Sequence, residues 1–231
     1  MKMEAIVLAG GFGTRLAHIV SDVPKPMAPV CGHPFLEYIL RDLSSKGITR
    51  VILAVGYKAE CIERFFQDRF EGMELIYSLE EKPLFTGGAV KMALSRCQDE
   101  NVFIVNGDTF FDVDLAAMAK CHQATGAVLT VATKEMEHFS RYGTVASDES
   151  GRITAFREKQ PCRRGAINGG IYLLKRNALE EIPQEKFSFE QEYMEAKVGA
   201  APFFAFPSSG YFIDIGIPED YAKAQEDFQT R

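Results

Sequence analysis

The sequence predicts an α/β fold: a mostly parallel, mixed sheet flanked by helices. Three observations carry that reading. Short apolar or β-branched runs alternate with stretches of helical apolar spacing through about the first 125 residues. Glycine-rich or Asn-Gly-Asp turns follow several of those runs. The composition is that of an average globular chain, with 231 residues, 46% apolar and 25% charged. A chain of this length buries about 70% of the surface its unfolded form exposes. It is expected to fold without a metal clip or a disulfide.

The elements follow in order. Ala5–Leu8 reads as a buried strand. Phe35–Leu43 has helical spacing and ends near Gly47. Val51–Val55 is a second buried strand and Ala59–Phe66 a second helix. Glu74–Tyr77 is a third strand, and Ala89–Cys97 a third helix entered through Gly87-Gly88. Val102–Val105 is a fourth strand, ending in Asn106-Gly107-Asp108. Strands covered on both faces lose the period of two and read as continuous apolar runs. The pattern then changes. Ala127–Thr133, Thr144–Ala146, Ile153–Arg157 and Ile167–Leu174 are strand-like, with Gly, Ser and Asp between them. Helical signals return at Phe189–Lys197 and Pro218–Phe228. No Pro- or Ser-rich linker interrupts the chain, so 1–231 is expected to form one unit. Residues 1–125 make its first half, and 126–231 extend the sheet and add a small β-rich lid.

Charge and cysteine usage narrow the function classes. Lys and Arg number 26 against 32 Asp and Glu, a net charge of −6. Nucleic-acid binders usually show a basic excess, so no nucleic-acid partner is expected. A small anionic ligand stays compatible, because it needs only a local cluster of cations. Cys31, Cys61, Cys97, Cys121 and Cys162 are odd in number, widely spaced and free of any C-x-x-C. That argues against a disulfide framework and a zinc site and fits a reducing, cytoplasmic setting. The apolar run Ala5–Ala9 is too short for a signal peptide, and no run of about 18 apolar residues occurs. No membrane partner is expected.

The loop after the first strand, Ala9-Gly10-Gly11-Phe12-Gly13-Thr14-Arg15-Leu16, has three glycines in four residues. Such a loop turns sharply and presents consecutive amides to an anion. The dinucleotide pattern G-x-G-x-x-G fails, because Leu16 stands where its third glycine belongs, and no G-K-[ST] follows. Thr14 and Arg15 instead offer a hydroxyl and a bidentate guanidinium, and Lys25-Pro26 adds a second cation. Ligands of open α/β sheets bind outside the carboxyl ends of the strands, where this loop, Gly56-Tyr57-Lys58 and Asn106-Gly107-Asp108 all fall. Phosphate binding is the favoured reading. The alternative is a glycine turn with a surface arginine.

These residues are similar to the signature loop of the sugar-1-phosphate nucleotidyltransferases. Five further segments resemble that family in order: Pro83–Ala89, Asn106-Gly107-Asp108, Phe156-Arg157-Glu158-Lys159, Asn168–Tyr172 and Asp214–Tyr221. The resemblance spans roughly residues 3–225. It implies a Rossmann-like, glycosyltransferase-A-like fold with a sugar-binding lid and without the C-terminal β-helix that many relatives carry. The implied reaction joins a nucleoside triphosphate to a sugar 1-phosphate and releases pyrophosphate. Asn106–Asp114, Arg141–Val145 and Tyr211–Gly216 resemble a subgroup that transfers GMP from GTP to a heptose 1-phosphate. Mannose 1-phosphate guanylyl transfer, N-acetylmuramate 1-phosphate uridylyl transfer and a catalytically silent nucleotide-sugar sensor are the rival readings. One residue departs from the family: Phe85 stands where the family has glycine.

The resemblance assigns roles by position. Arg15, Lys25 and Asp108 are the expected catalytic residues. Leu8, Ala9, Gly10, Gly11, Gly13, Thr14, Gly87, Gly88 and Gly107 are expected to contact the nucleotide, the glycines by close backbone approach. Glu80 or Glu81 is expected to read the base, because guanine offers two adjacent donors that one carboxylate accepts. Asp108 and Asp214 are the expected ligands of Mg²⁺, which takes one or two carboxylates plus substrate phosphates. Tyr142, Gly143, Glu158, Lys159, Asn168, Gly169 and Asp214 are expected to line the sugar site. The competing explanations are ordinary turn chemistry for Gly143, Asn168 and Gly169, an exposed charge pair for Glu158 and Lys159, and a solvated charge run for Glu80-Glu81-Lys82. The aromatic cluster Phe203, Phe204, Phe206, Tyr211 and Phe212 reads as core, with a homo-oligomer surface as the alternative.

Overall fold

The computed structural model describes residues 3–11, 20, 22–157 and 159–229. Strand β1 is Met3–Leu8. The short strands β2 (Pro29–Val30) and β3 (His33–Pro34) lead into helix α1 (Phe35–Ser45). Then come β4 (Ile48–Val55), α2 (Ala59–Phe66), β5 (Arg69–Phe70), β6 (Met73–Leu79), α3 (Phe85–Leu94), β7 (Asn101–Asn106), β8 (Thr109–Phe111) and α4 (Leu115–Thr125). The second half holds β9 (Leu129–Phe139), β10 (Thr144–Ser147), β11 (Ile153–Arg157), β12 (Cys162–Lys175), β13 (Phe203–Pro207), β14 (Phe212–Asp214) and α5 (Pro218–Asp227).

The central strands β7, β1, β4 and β6 are mutually parallel, in that spatial order. Antiparallel strands extend them: β5 beyond β6, and β12 beyond β7. β12 is the longest strand and pairs with β7, β9 and β10. Its register shifts between Asn168 and Tyr172, where Gly170 takes a φ of +74°. One residue type tolerates that backbone freely, so glycine marks the bend. The bend carries β12 from the central sheet into the β10–β11 flap.

Alternate residues of β1 and β4 pack into opposite cores. Ala5, Val7, Val51, Leu53 and Val55 face the core covered by α1, α2 and α5. Ile6, Ile52 and Ala54 face the core covered by α3 and Phe187–Met194. Both sets are fully buried, which explains their unbroken apolar runs.

Helix α4 and strands β13 and β14 were not expected. On α4 only Leu115, Met118 and His122 are buried, so a histidine completes the inward stripe and hides the apolar period. Its ends are well marked: Asp114 accepts from the Ala117 amide at 2.9 Å, and Gly126 closes it at φ +62°. Helix α3 begins at Phe85 rather than after the glycines. The helical signal at Phe189 resolves as a π-helix over Phe189–Glu195. Phe203 joins the core, whereas Tyr211 and Phe212 are half-buried against Phe110, Phe228 and Phe111.

Candidate active site

The carboxyl ends of the four parallel strands form one rim, as the topology of an open α/β sheet requires. Leu8 ends β1 with Gly10 just beyond it, Gly56 and Tyr57 follow β4, Glu80 and Glu81 follow β6, and Asn106 ends β7 with Asp108 just beyond it. All of them line a cleft of about 670 Å³, together with Gly11, Lys25, Phe85 and Thr86. A second cleft of about 420 Å³ opens beneath the β10–β11 flap. Tyr142, Gly143, Lys159, Asn168, Gly169 and Asp214 line it. The two clefts share Thr86, Asn106, Asp108 and Glu190.

Lys25 sits at that junction. It opens a tight 3-10 turn, Lys25–Met27, whose backbone Pro24 and Pro26 preset and whose Met27 side chain is buried. Its ammonium donates to Asp108 Oδ2 at 2.5 Å and lies 3.6 Å from Asp214 Oδ1. The two aspartates meet because β14 pairs antiparallel with β8, setting Asp214 opposite Thr109. The Ile215 amide then donates to the Asp108 carbonyl at 3.1 Å. Burial, reinforced by the nearby Asp108 charge, pushes the Asp214 carboxyl above its ordinary range. Lys25, the Gly216 amide at 2.8 Å and Arg141 act in the opposite direction. Two carboxylates around one ammonium leave a net negative charge where the clefts meet.

Four positions expected at the nucleotide also make close contacts within the protein. The Ala9 amide is spent on Ala54 and the Gly107 amide on Leu8, at 2.8 and 2.9 Å. A Cβ at Gly107 would lie 2.6 Å from the Leu8 carbonyl, so glycine there lets two loops touch. The Gly87 amide donates to the Phe187 carbonyl at 2.9 Å. Cβ atoms at Gly87 and Gly88 would run into the Phe187 ring and the Glu185 carbonyl. These two glycines let α3 dock on the 185–187 segment and do not line the clefts. Gly10 and Gly11 do line the nucleotide-side cleft. Gly13, Thr14, Arg15 and Glu158 lie outside the described residues.

The two acidic candidates after β6 differ in setting. Glu80 is half-buried and accepts from the Leu84 amide at 3.2 Å. Its other oxygen would lie 2.8 Å from a Cβ on Gly10. Burial raises its carboxyl, against the opposing pull of the Leu84 amide. Glu81 is exposed on the cleft wall.

In the second cleft, Asn168 accepts from the Gly170 amide at 3.1 Å and donates to the Tyr172 hydroxyl at 2.9 Å. Tyr142 packs edge-on against Phe212 and takes a hydrogen bond from Arg141 at 3.0 Å. Arg141 also pairs with Asp220 at the start of α5. Arg141 and Glu190 are among the cleft residues without a sequence-assigned role. Arg141 belongs to the motif-like segment Arg141–Val145. Glu190 accepts from Thr86 at 2.7 Å, and nothing local in the sequence distinguishes it from neighbouring acids.

The Nucleotidyl transferase family model matches residues 4–231. The chain is 50% identical over 228 residues to D-glycero-alpha-D-manno-heptose 1-phosphate guanylyltransferase of Aneurinibacillus thermoaerophilus, covering 98% of this chain and 99% of that one. It is 46% identical over 224 residues to the protein of that name from Campylobacter jejuni, covering 95% and 97%. The crystal structure of HddC from Yersinia pseudotuberculosis complexed with GMP-PN superposes with a TM-score of 0.88 at 36% identity, covering 98% of this chain and all of that one. With the cleft pair at the strand ends and a match over nearly its whole length, the chain belongs to the nucleotidyl transferase family.

Proposed function

We propose that this protein transfers GMP from GTP to D-glycero-α-D-manno-heptose 1-phosphate, giving the GDP-sugar and pyrophosphate. The observation that carries the reading is the pair of clefts meeting at Asp108 and Lys25. One cleft takes the nucleotide and the other the sugar phosphate. The similarity to two proteins named heptose 1-phosphate guanylyltransferase, over nearly their full lengths, supports the substrate pair.

The chemistry asks little of an acid or base. A phosphate monoester loses its second proton near pH 6, so the attacking oxygen is already anionic at neutral pH. What remains is in-line placement and charge stabilisation. Lys25 carries a positive charge to the junction, and Asp108 fixes where its ammonium points. Arg15 serves the leaving pyrophosphate, and Gly10, Gly11, Gly13 and Thr14 the remaining phosphate contacts. Glu81 reads the guanine edge, while Glu80 braces Leu84 against the Gly10 loop. Tyr142, Gly143, Glu158, Lys159, Asn168 and Gly169 shape the sugar site, with Lys159 toward its phosphate.

Asp108 and Asp214 fit Mg²⁺. Two carboxylates with one shared ammonium leave a negative excess, and no cluster of three or more His, Cys, Asp or Glu forms among the described residues. That donor set suits an ion that completes its shell with waters and substrate phosphates. When bound, Mg²⁺ offsets the charge that develops on the transferred phosphate. The two halves of the chain act as one catalytic unit. No helix among the described residues is long and apolar enough to cross a membrane.

The test is pyrophosphate release by the purified protein with each pairing of GTP or UTP with heptose, mannose or N-acetylmuramate 1-phosphate. Turnover with GTP and the heptose supports the reading, and turnover with UTP alone removes it.

A further inference from the structure

We propose that Phe85 is the stacking platform for the nucleotide's base, with Lys186 as its cationic backing. The inference rests on the nucleotide reading of the larger cleft and adds a second determinant of base selection to it.

Phe85 opens α3 with a φ of +59°, in the left-handed region. Glycine adopts that backbone freely, whereas a bulky L-residue there is an outlier that needs a reason. Packing does not supply the reason. The side chain is 57% exposed, the most exposed of the large apolar residues in the described structure. Its ring stands on the wall of the nucleotide-side cleft, on the same rim as Glu81 and Tyr57. The Lys186 ammonium lies 4.4 Å from the ring centroid, on one face.

An unburied aromatic held in an unfavourable backbone on a cleft wall gains most from an outside partner. Every base presents a flat π face, and stacking on an aromatic side chain is one of the general ways proteins hold it. A cation on the ring is attracted by the quadrupole and puts positive charge beside an anionic nucleotide. Selection then has two parts. Glu81 reads the edge of guanine, and Phe85 holds its face. A purine offers more ring surface than a pyrimidine, so this contact favours GTP over UTP.

Without sugar phosphate no transfer occurs, so binding is measurable directly. Isothermal titration calorimetry would compare the parent with Phe85→Gly, Phe85→Leu and Phe85→Tyr, using GTP and inosine triphosphate. Thermal unfolding would be recorded for each. Phe85→Gly is expected to unfold at or above the parent's temperature, since glycine suits the backbone. Its Kd is expected to rise roughly tenfold, about 1.4 kcal/mol. The same factor should appear for both triphosphates, because the contact is with the ring and not the exocyclic amine. Phe85→Tyr keeps the parental Kd within about twofold, and Phe85→Leu resembles the glycine variant. Parental affinity in Phe85→Gly or Phe85→Leu overturns the proposal. Failure of the parent itself to bind GTP instead overturns the guanylyl reading beneath it.

Discussion

Lys25 and Asp108 stand 83 positions apart in sequence yet share a 2.5 Å charged hydrogen bond at the junction of the two clefts. The lysine side chain is only 9% exposed. A cation so placed is fixed before substrate arrives, which is what electrostatic stabilisation of a developing charge needs. Lys25→Met keeps the length of the side chain and removes the charge. Its kcat is expected to fall by about 10²–10³, as for loss of one transition-state stabiliser. A steady-state assay checks this, and a fall below about tenfold contradicts the role.

Asp108→Asn keeps the shape of the side chain and removes its charge. Calorimetry is expected to find GTP still bound, while turnover drops by about 10² or more. Full turnover would sink the assignment of Asp108 as a metal ligand.

Magnesium is expected to arrive with the nucleotide. Asp108 and Asp214 already share Lys25, so the bare protein offers the ion two partly neutralised carboxylates. Mg²⁺ alone at millimolar concentration should leave the unfolding temperature unchanged. GTP with Mg²⁺ should raise it more than GTP with EDTA. A large rise with Mg²⁺ alone would point to a complete protein cage instead.

His122, which lines neither cleft, makes stability depend on pH. It is buried, and its ring pairs with Thr130 at 2.8 Å and Asn101 at 3.1 Å. With the Asn101 side-chain oxygen accepting, Nε2 carries the proton and Nδ1 accepts from the Thr130 hydroxyl. Burial, helped by Lys175, lowers the imidazole from 6.5 to about 4. Between those values the unfolded chain binds the proton and the folded one does not. This contribution is therefore complete above about pH 6.5 and is lost as the pH falls toward 4. NMR titration of the ring should give a midpoint near 4, and the urea midpoint of the parent should fall more steeply over that window than that of His122→Gln. An NMR midpoint near 6.5 contradicts this account.

Gly87→Ala tests the contact of the glycine pair with the 185–187 segment. The added methyl would lie 2.3 Å from the Phe187 ring. Overpacking of this kind typically costs about 1–3 kcal/mol, visible as a lower urea midpoint. Parental stability would mean that the α3 contact yields easily.

The central strands, α1, α2 and the rim of the nucleotide-side cleft were legible because both faces of the sheet are buried and the turns are chemically distinctive. Lys25, Asp108 and Asp214 were each marked by a local motif. Their convergence depends on β14 pairing with β8, a contact between distant segments that no local pattern encodes. Gly87, Gly88 and Gly107 were legible as special positions, but their contacts within the protein were not, because close approach to protein and to ligand call for the same residue. Glu190 and α4 left no readable signal. One is an acid among acids, and the other turns a histidine toward the core.

The central claim is tested most directly by following pyrophosphate release with GTP and D-glycero-α-D-manno-heptose 1-phosphate in the presence of Mg²⁺, with UTP and mannose 1-phosphate as substitutes one at a time. The account predicts turnover with the GTP–heptose pair that falls when either partner is exchanged. Equal or faster turnover after either exchange would contradict it.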